Sequence, residues 1–270
     1  MPGSRVLIGC GRMGQALLAG WTARGETAFV IDPSADRAAL AALGAVVIDR
    51  LDDLAAVPKP LCVLVAVKPA DAQAAIAGLA PWLGPGDLVV SVAAGVPIAA
   101  LRRALGAAQP GVVRAMPNIA ASAGAAMTAA VAEPGLDAGR RGLCESLFTC
   151  VGEFVWLADE PLLDAATAIS GSGLAYVFSL GEQLAQAGVA LGLADDVAAR
   201  LARVTLSGAG ALAARGEASL AELRAQVTSP SGTTAAALAV LDGPGGLGEL
   251  IARATTAAAR RAAEMTPKVQ

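Results

Sequence analysis

Three glycines near the start of the chain have the spacing of a phosphate-binding turn. Gly9-Cys10-Gly11-Arg12-Met13-Gly14 reads G-x-G-x-x-G. In such a turn the first glycine permits the tight bend and the second lets backbone approach a pyrophosphate. The third lets helix and strand pack closely. Free N–H groups at the helix start, those of Arg12 and Met13 among them, then face the anion. In a chain with 31 glycines the pattern alone is weak, and its setting strengthens it. It follows a strand-like run, Ser4 to Gly9, and opens an apolar-periodic helix that reaches about Arg24. Asp32 lies 18 residues beyond Gly14, at the end of a second strand-like run, where an acid holds the ribose 2′-OH of a dinucleotide. A carboxylate there repels a 2′-phosphate and leans the site towards NADH. Ser34 and Arg37 follow closely and would cradle that phosphate if Asp32 turned away, so NADPH stays open.

These residues need a sheet to hold them. Further apolar runs at Ala28 to Asp32, Ala45 to Ile48, Leu61 to Val67, Leu88 to Val92, Val112 to Met116 and Val151 to Leu157 read as strands. Helical stretches separate them, including Ala35 to Leu43 and one opened by Pro69. Strands that are continuously apolar belong to a parallel sheet covered on both faces. The expected fold is α/β, a Rossmann-type doubly wound sheet followed by an all-α domain. Open sheets of this kind bind ligands beyond the carboxyl ends of their strands. Val67, Lys68 and Pro69, then Ala93, Ala94 and Gly95, are therefore assigned to the dinucleotide. Met116-Pro117-Asn118 occupies the same edge, and Asn118 joins that set as part of the nicotinamide floor. Arg114 lies inside a strand pattern and reads as structural. From Asp159 onward the chain is Ala/Leu-rich helix broken by glycines, which divides it into residues 1–158 and 159–270.

Composition narrows the chemistry. Net charge is −3 and aromatics are 3%, so neither the basic surface nor the stacking platforms of a nucleic-acid binder are present. The chain is 55% apolar, but its apolar runs are broken by Pro, Gly or charge well short of the ~20 residues of a spanning helix. With no signal-peptide pattern at the start, a cytoplasmic enzyme is expected. The cysteines, Cys10, Cys62, Cys144 and Cys150, form no C-x-x-C pair, and three of them sit in apolar runs that read as buried, inert thiols. There is no histidine, which removes Ser-His-Asp and Cys-His catalysis and histidine metal sites; no metal is expected.

The second half carries two polar interruptions. Ser170-Gly171-Ser172-Gly173 breaks a helical run, at about 1 kcal/mol per glycine relative to alanine. A ligand or another backbone approaching closely would explain it, and so would a helix-packing notch. Pro230-Ser231-Gly232-Thr233-Thr234 leads into a helix over Ala235 to Leu241. Its unpaired N–H groups seat a carboxylate, or the hydroxyls act as an ordinary N-cap.

Taken with GCGRMG, AVKP at Ala66 to Pro69, VAAGV at Val92 to Val96 and RAMPN at Arg114 to Asn118, the runs AISGSGLAYVF and VTSPSGTTA resemble pyrroline-5-carboxylate reductase along essentially the whole chain. The most specific element is the SGSG-x-AY motif followed about 60 residues later by VTSP-x-GTT. The resemblance implies NAD(P)H-dependent reduction of the cyclic imine 1-pyrroline-5-carboxylate to L-proline, the last step of proline biosynthesis. It implies Ser170, Gly171, Ser172, Gly173 and Ser231 around the substrate, with backbone amides of Gly232 and Thr233 on its carboxylate. Thr234 then serves as the catalytic hydroxyl at the ring nitrogen. It also implies a homodimer through the helical domain, sometimes assembled further to a decamer. The chain departs from the family pattern at Leu174 (usually Pro), Ser231 (usually Gly) and Ile119-Ala120 (usually Thr-Pro). A reductase for a related cyclic imine, and a non-catalytic NAD(P)-binding regulator, are the alternatives. A β-hydroxyacid dehydrogenase needs a lysine in or near its helical part, and none lies between residues 69 and 267.

Overall fold

A computed structural model describes residues 3–265 of the chain. Its contacts divide into two compact units, residues 1–171 with 259–270 and residues 172–258.

The first unit is built on one sheet. Strands β1 (Ser4–Ile8), β2 (Ala28–Ile31), β3 (Val46–Val47), β4 (Leu61–Val65), β5 (Leu88–Ser91), β6 (Gly111–Met116), β7 (Ala126–Ala132) and β8 (Gly152–Trp156) run in the order β3-β2-β1-β4-β5-β6-β7-β8. Around it lie helices α1 (Arg12–Ala23), α2 (Arg37–Ala42), α3 (Pro69–Leu79), α4 (Ile98–Leu105), α5 (Ala138–Phe148) and α6 (Leu162–Ala166). The apolar runs form strands because each is buried on both sides, and β4 shows how. Cys62 and Leu64 belong to one core cluster with Leu17, Leu18 and Trp21 of α1 and Phe148 of α5. Their neighbours Leu61, Val63 and Val65 belong to the other, with Ile76 and Leu79 of α3 and Leu101 of α4. Alternation with period two sends successive side chains to opposite faces, so only an unbroken apolar run fills both layers. Each fully buried side chain of this size contributes about 1.5–3 kcal/mol.

The sheet is not wholly parallel. The sequence reading assigns no strand between Met116 and Val151, yet β7 lies there; it pairs antiparallel with β6, Val113 opposite Ala132 and Met116 opposite Ala129, and parallel with β8. Its sequence, AMTAAVA, has helix-favouring alanines. Pairing on both edges and burial of Ala129, Ala130 and Val131 override that preference. Arg114 is structural, as its setting suggested: it is buried and bonds Glu160 at 3.1 Å. The same Glu160 oxygen accepts the Ile98 amide at the start of α4.

After α6 comes a π-helical turn, Thr167–Gly171. The second unit contains α7 (Gly173–Ala190), α8 (Asp195–Ala213), α9 (Leu220–Gln226), α10 (Thr233–Leu241) and most of α11 (Leu247–Met265), whose last residues belong to the first unit. Gly181 lets α7 and α8 approach, since a Cβ there would lie 2.4 Å from Leu206 Cδ1. Within this unit the buried residues of α7 and α8 are only Gly181, Ala198 and Ala202. Phe178 is 62% exposed and Val204 59%. No helix among the described residues is long and apolar enough to cross a membrane.

Candidate active site

The glycine turn follows β1 as its spacing predicts. Gly9 has φ +85°, a left-handed conformation that favours glycine, and its N–H bonds the Ile31 carbonyl at 2.9 Å. A Cβ on Gly14, inside the first turn of α1, would meet the Gly9 carbonyl oxygen at 2.5 Å. At Gly11, the N-cap of α1, a Cβ would have nothing within 4 Å. Two glycines thus pack the turn, and the third leaves open space beside amides that carry no side-chain cap. That is the cradle a pyrophosphate requires.

Asp32 closes the turn from β2. Its Oδ2 accepts the Cys10 amide at 2.6 Å, and its Oδ1 accepts both the amide and the hydroxyl of Ser34 at 2.8 Å. Partial burial pushes the carboxyl up, but the bonds from Cys10, Ser34 and Ala35 outweigh it and hold the group below its usual range. Asp32 is therefore ionised at neutral pH. The same anion and burial push the Cys10 thiol the other way: burial first, then Asp32, raise it to about 11. Cys10 is a neutral spacer in the turn and no nucleophile. Cys62 is pushed by burial to about 12, and all four cysteines are free.

A cavity of about 580 Å³ at the carboxyl ends of the strands brings together Gly9, Gly11, Asp32, Ser34, Val67 and Lys68. Asp49, after β3, and Asp71, in the first turn of α3, line it too, and no sequence motif marked them. Arg37, the other candidate phosphate cradle, is paired with Asp49. The remaining cofactor candidates lie outside this cavity. Arg12 points to a separate hollow with Ile119 and Cys150, Met13 packs on the core, and Pro69 serves as the first residue of α3. Ala93 is in the core, with Ala94 half-buried beside it. Gly95 (φ +73°) is covered, because a Cβ there would meet the Met265 carbonyl at 2.6 Å. Asn118 uses its amide within the protein, bonding the Ser170 carbonyl at 3.1 Å and accepting the Ala120 N–H at 3.2 Å.

The two polar interruptions of the second half also take definite shapes. Ser170 and Gly171 end the π-helical turn, where the Ser170 hydroxyl bonds the Ala166 carbonyl. π-Turns of this kind concentrate at functional sites. Ser172 is the residue before α7, whose first turn carries Gly173 and Leu174.

In the other unit element, α10 begins at Thr233 with Gly232 as N-cap and no side-chain cap. The Gly232 amide is already bonded to the Ser229 carbonyl at 3.1 Å, which leaves the amides of Thr233, Thr234 and Ala235 as the free donors of the first turn. Ser231 has φ +56°, the one positive φ outside glycine among the described residues. A left-handed residue here explains the glycine of the family pattern, and serine holds it at about 1 kcal/mol of strain. Thr234 is half-buried. No group of three or more His, Cys, Asp or Glu side chains among the described residues is placed to hold a metal.

A glycine turn on a doubly wound sheet, locked by an ionised Asp32, defines a protein of the dinucleotide-binding class. Residues 160–265 match the family described as "Pyrroline-5-carboxylate reductase dimerisation", and residues 6–95 match "NADP oxidoreductase coenzyme F420-dependent". A pyrroline-5-carboxylate reductase of Pseudomonas aeruginosa is 40% identical over 97% of this chain and 96% of its own. The structure of a pyrroline-5-carboxylate reductase from Coxiella burnetii, 33% identical, superposes with a TM-score of 0.91 over 99% of this chain and 100% of that one. A Plasmodium falciparum pyrroline carboxylate reductase with NADP bound, 24% identical, shares the fold at a TM-score of 0.79 over 98% of each chain. The chain belongs to the pyrroline-5-carboxylate reductase family.

Proposed function

We propose that this chain reduces 1-pyrroline-5-carboxylate to L-proline, the last step of proline biosynthesis, with NADH as the preferred donor. The observation that carries the reading is the uncapped start of α10. There Thr233 and Thr234 offer free amides and Thr234 a hydroxyl, in a chain whose family reduces this imine. In this reading Ser170 to Gly173 and Ser231 to Thr233 keep the substrate-contact roles that the family resemblance implies for each motif, and the amides of α10 take the carboxylate. Thr234 hydrogen-bonds the ring nitrogen, which fixes the orientation of the C=N bond. When bound, the reduced nicotinamide supplies the hydride that adds to the imine carbon. A protonated imine is already electrophilic, so positioning and one hydroxyl suffice, as suits a chain without histidine. Gly9, Gly11, Asp32 and Lys68 line the dinucleotide's cavity.

Donor choice rests on charge. Asp32 is ionised and holds Ser34, and Asp49 offsets the charge of Arg37, so the wall that would receive a 2′-phosphate carries two carboxylates. Oxidation of NADH and of NADPH, each with pyrroline-5-carboxylate, tests substrate and donor together. A kcat/KM at least about tenfold higher with NADH is expected. A preference for NADPH overturns the donor, and turnover of a six-membered cyclic imine alone overturns the substrate.

We also propose residues 159–270 as the substrate and dimerisation domain. Exposed Phe178, Leu201 and Val204 on paired helices lack a covering layer, and a second copy of the chain supplies one. Light scattering should give at least twice the mass of the chain, and an active monomer would contradict the interface.

A further inference from the structure

We propose that Asn118 is a positioning residue, whose side chain holds the π-helical turn carrying Ser170 and Gly171 to the dinucleotide half of the site. The inference rests on the reading of Ser170 and Gly171 as substrate contacts. Asn118 is 8% exposed, and both ends of its amide are used. Oδ1 accepts the Ala120 N–H at 3.2 Å and so caps the short 3₁₀ turn Ile119–Ala123. Nδ2 donates to the Ser170 carbonyl at 3.1 Å, 52 residues further along the chain. The 3₁₀ turn is itself anchored, because Ala121 is 3% exposed within the core cluster that contains Leu17 and Leu18 of α1. A continuous path of packing and hydrogen bonds therefore runs from the helix of the glycine turn, through Ala121 and Asn118, to the Ser170 carbonyl. Asn118 follows Met116-Pro117 at the carboxyl end of β6. One side chain thus ties the strand-end loop assigned to the nicotinamide to the turn assigned to the substrate. A capping residue needs only the acceptor, and the Nδ2 bond is the part that capping leaves unexplained.

Asn118→Asp and Asn118→Ser separate the two bonds. Both keep an acceptor for the Ala120 amide, and both lose the Nδ2 donor that reaches Ser170, which the shorter serine hydroxyl does not replace; the aspartate also sets an anion against a carbonyl. Amide hydrogen exchange over residues 167–171 should become about tenfold faster or more in both variants, with exchange in α1 unchanged. In turnover, KM for the imine should rise and kcat fall, together lowering kcat/KM by about 10–100-fold, while Kd for NADH stays within about twofold. If Asn118→Asp does not fold, Asn118→Ser carries the same readouts. Wild-type exchange over residues 167–171 in the folded variants refutes the clamp. Equal weakening of NADH binding and turnover also refutes it, because it would make Asn118 a dinucleotide contact instead. The exchange measurement needs no substrate. An inactive wild type with the exchange difference intact therefore overturns the proposed substrate and leaves the clamp standing.

Discussion

Thr234→Ala is expected to lower kcat/KM for pyrroline-5-carboxylate by about 100-fold while leaving the Kd for NADH unchanged. The magnitude is the lower end of what a single positioned proton-handling or hydrogen-bonding side chain contributes. Folding should not confuse the result. Thr234 is the second residue of α10, and that helix has no side-chain cap, so no capping bond is lost. Alanine is also the better helix former, because threonine loses rotamer freedom against the preceding turn. The side chain is half-buried, so its removal leaves no sealed cavity. Thr234→Ser restores the hydroxyl without the methyl and should recover most of the rate. The loss should fall mainly on kcat, since the carboxylate keeps the amides of the first turn. Steady-state kinetics with both variants, beside a cofactor titration, make the comparison. An unchanged rate in Thr234→Ala removes Thr234 from the reaction and returns α10 to an ordinary helix start.

The parts of the fold and site legible in the sequence are those set by local pattern. Runs such as Leu61–Val65 identify themselves because a strand covered on both faces must be apolar at every position. The glycine turn is legible for a similar reason, since each glycine answers one steric demand at a fixed offset. β7 is not legible, because its alanines favour helix until a neighbour supplies the ladder, and that neighbour, β6, runs antiparallel to it. Within the site, the limits are set by contacts far apart in the chain. Gly95 looks like a strand-end ligand contact until the Met265 carbonyl, 170 residues later, is placed over it. Asn118 is read as part of the dinucleotide floor, and the local pattern gives no hint that its amide reaches Ser170, 52 residues later. Asp49 had no signal at all: it follows a two-residue strand, and only the pairing of β3 with β2 brings it to the cavity of Asp32. The Gly232 amide was assigned to the substrate with its neighbours, and the tight turn from Ser229 engages it instead. Periodicity reports which face is buried, and the partner of a particular N–H remains a tertiary fact.

The glycine turn supports the second large prediction, in which two neighbouring substitutions fail for different reasons. In Gly14→Ala the new Cβ would lie 2.5 Å from the Gly9 carbonyl oxygen, a backbone atom that cannot rotate away. Either α1 shifts from β1 or the turn opens, and overpacking of this kind costs about 1–3 kcal/mol. Both stability and NADH affinity should fall, the latter by about 100-fold as the amides lose their aim. In Gly11→Ala the new Cβ meets no protein atom within 4 Å, and φ at that position is −68°, which alanine adopts freely. Stability should therefore stay within about 1 kcal/mol, the difference between glycine and alanine as an N-cap. NADH affinity should still fall at least about tenfold, because the methyl fills the space a pyrophosphate needs against the backbone. Thermal unfolding of the free protein and a cofactor titration, done on both variants, separate steric failure of the scaffold from steric exclusion of the ligand. If Gly11→Ala binds NADH as tightly as the wild type, the open space at Gly11 does not face the dinucleotide. The phosphates would then have to be assigned elsewhere along the cavity. If Gly14→Ala is as stable as the wild type, the contact with Gly9 is soft, and the third glycine of the motif is not required by packing.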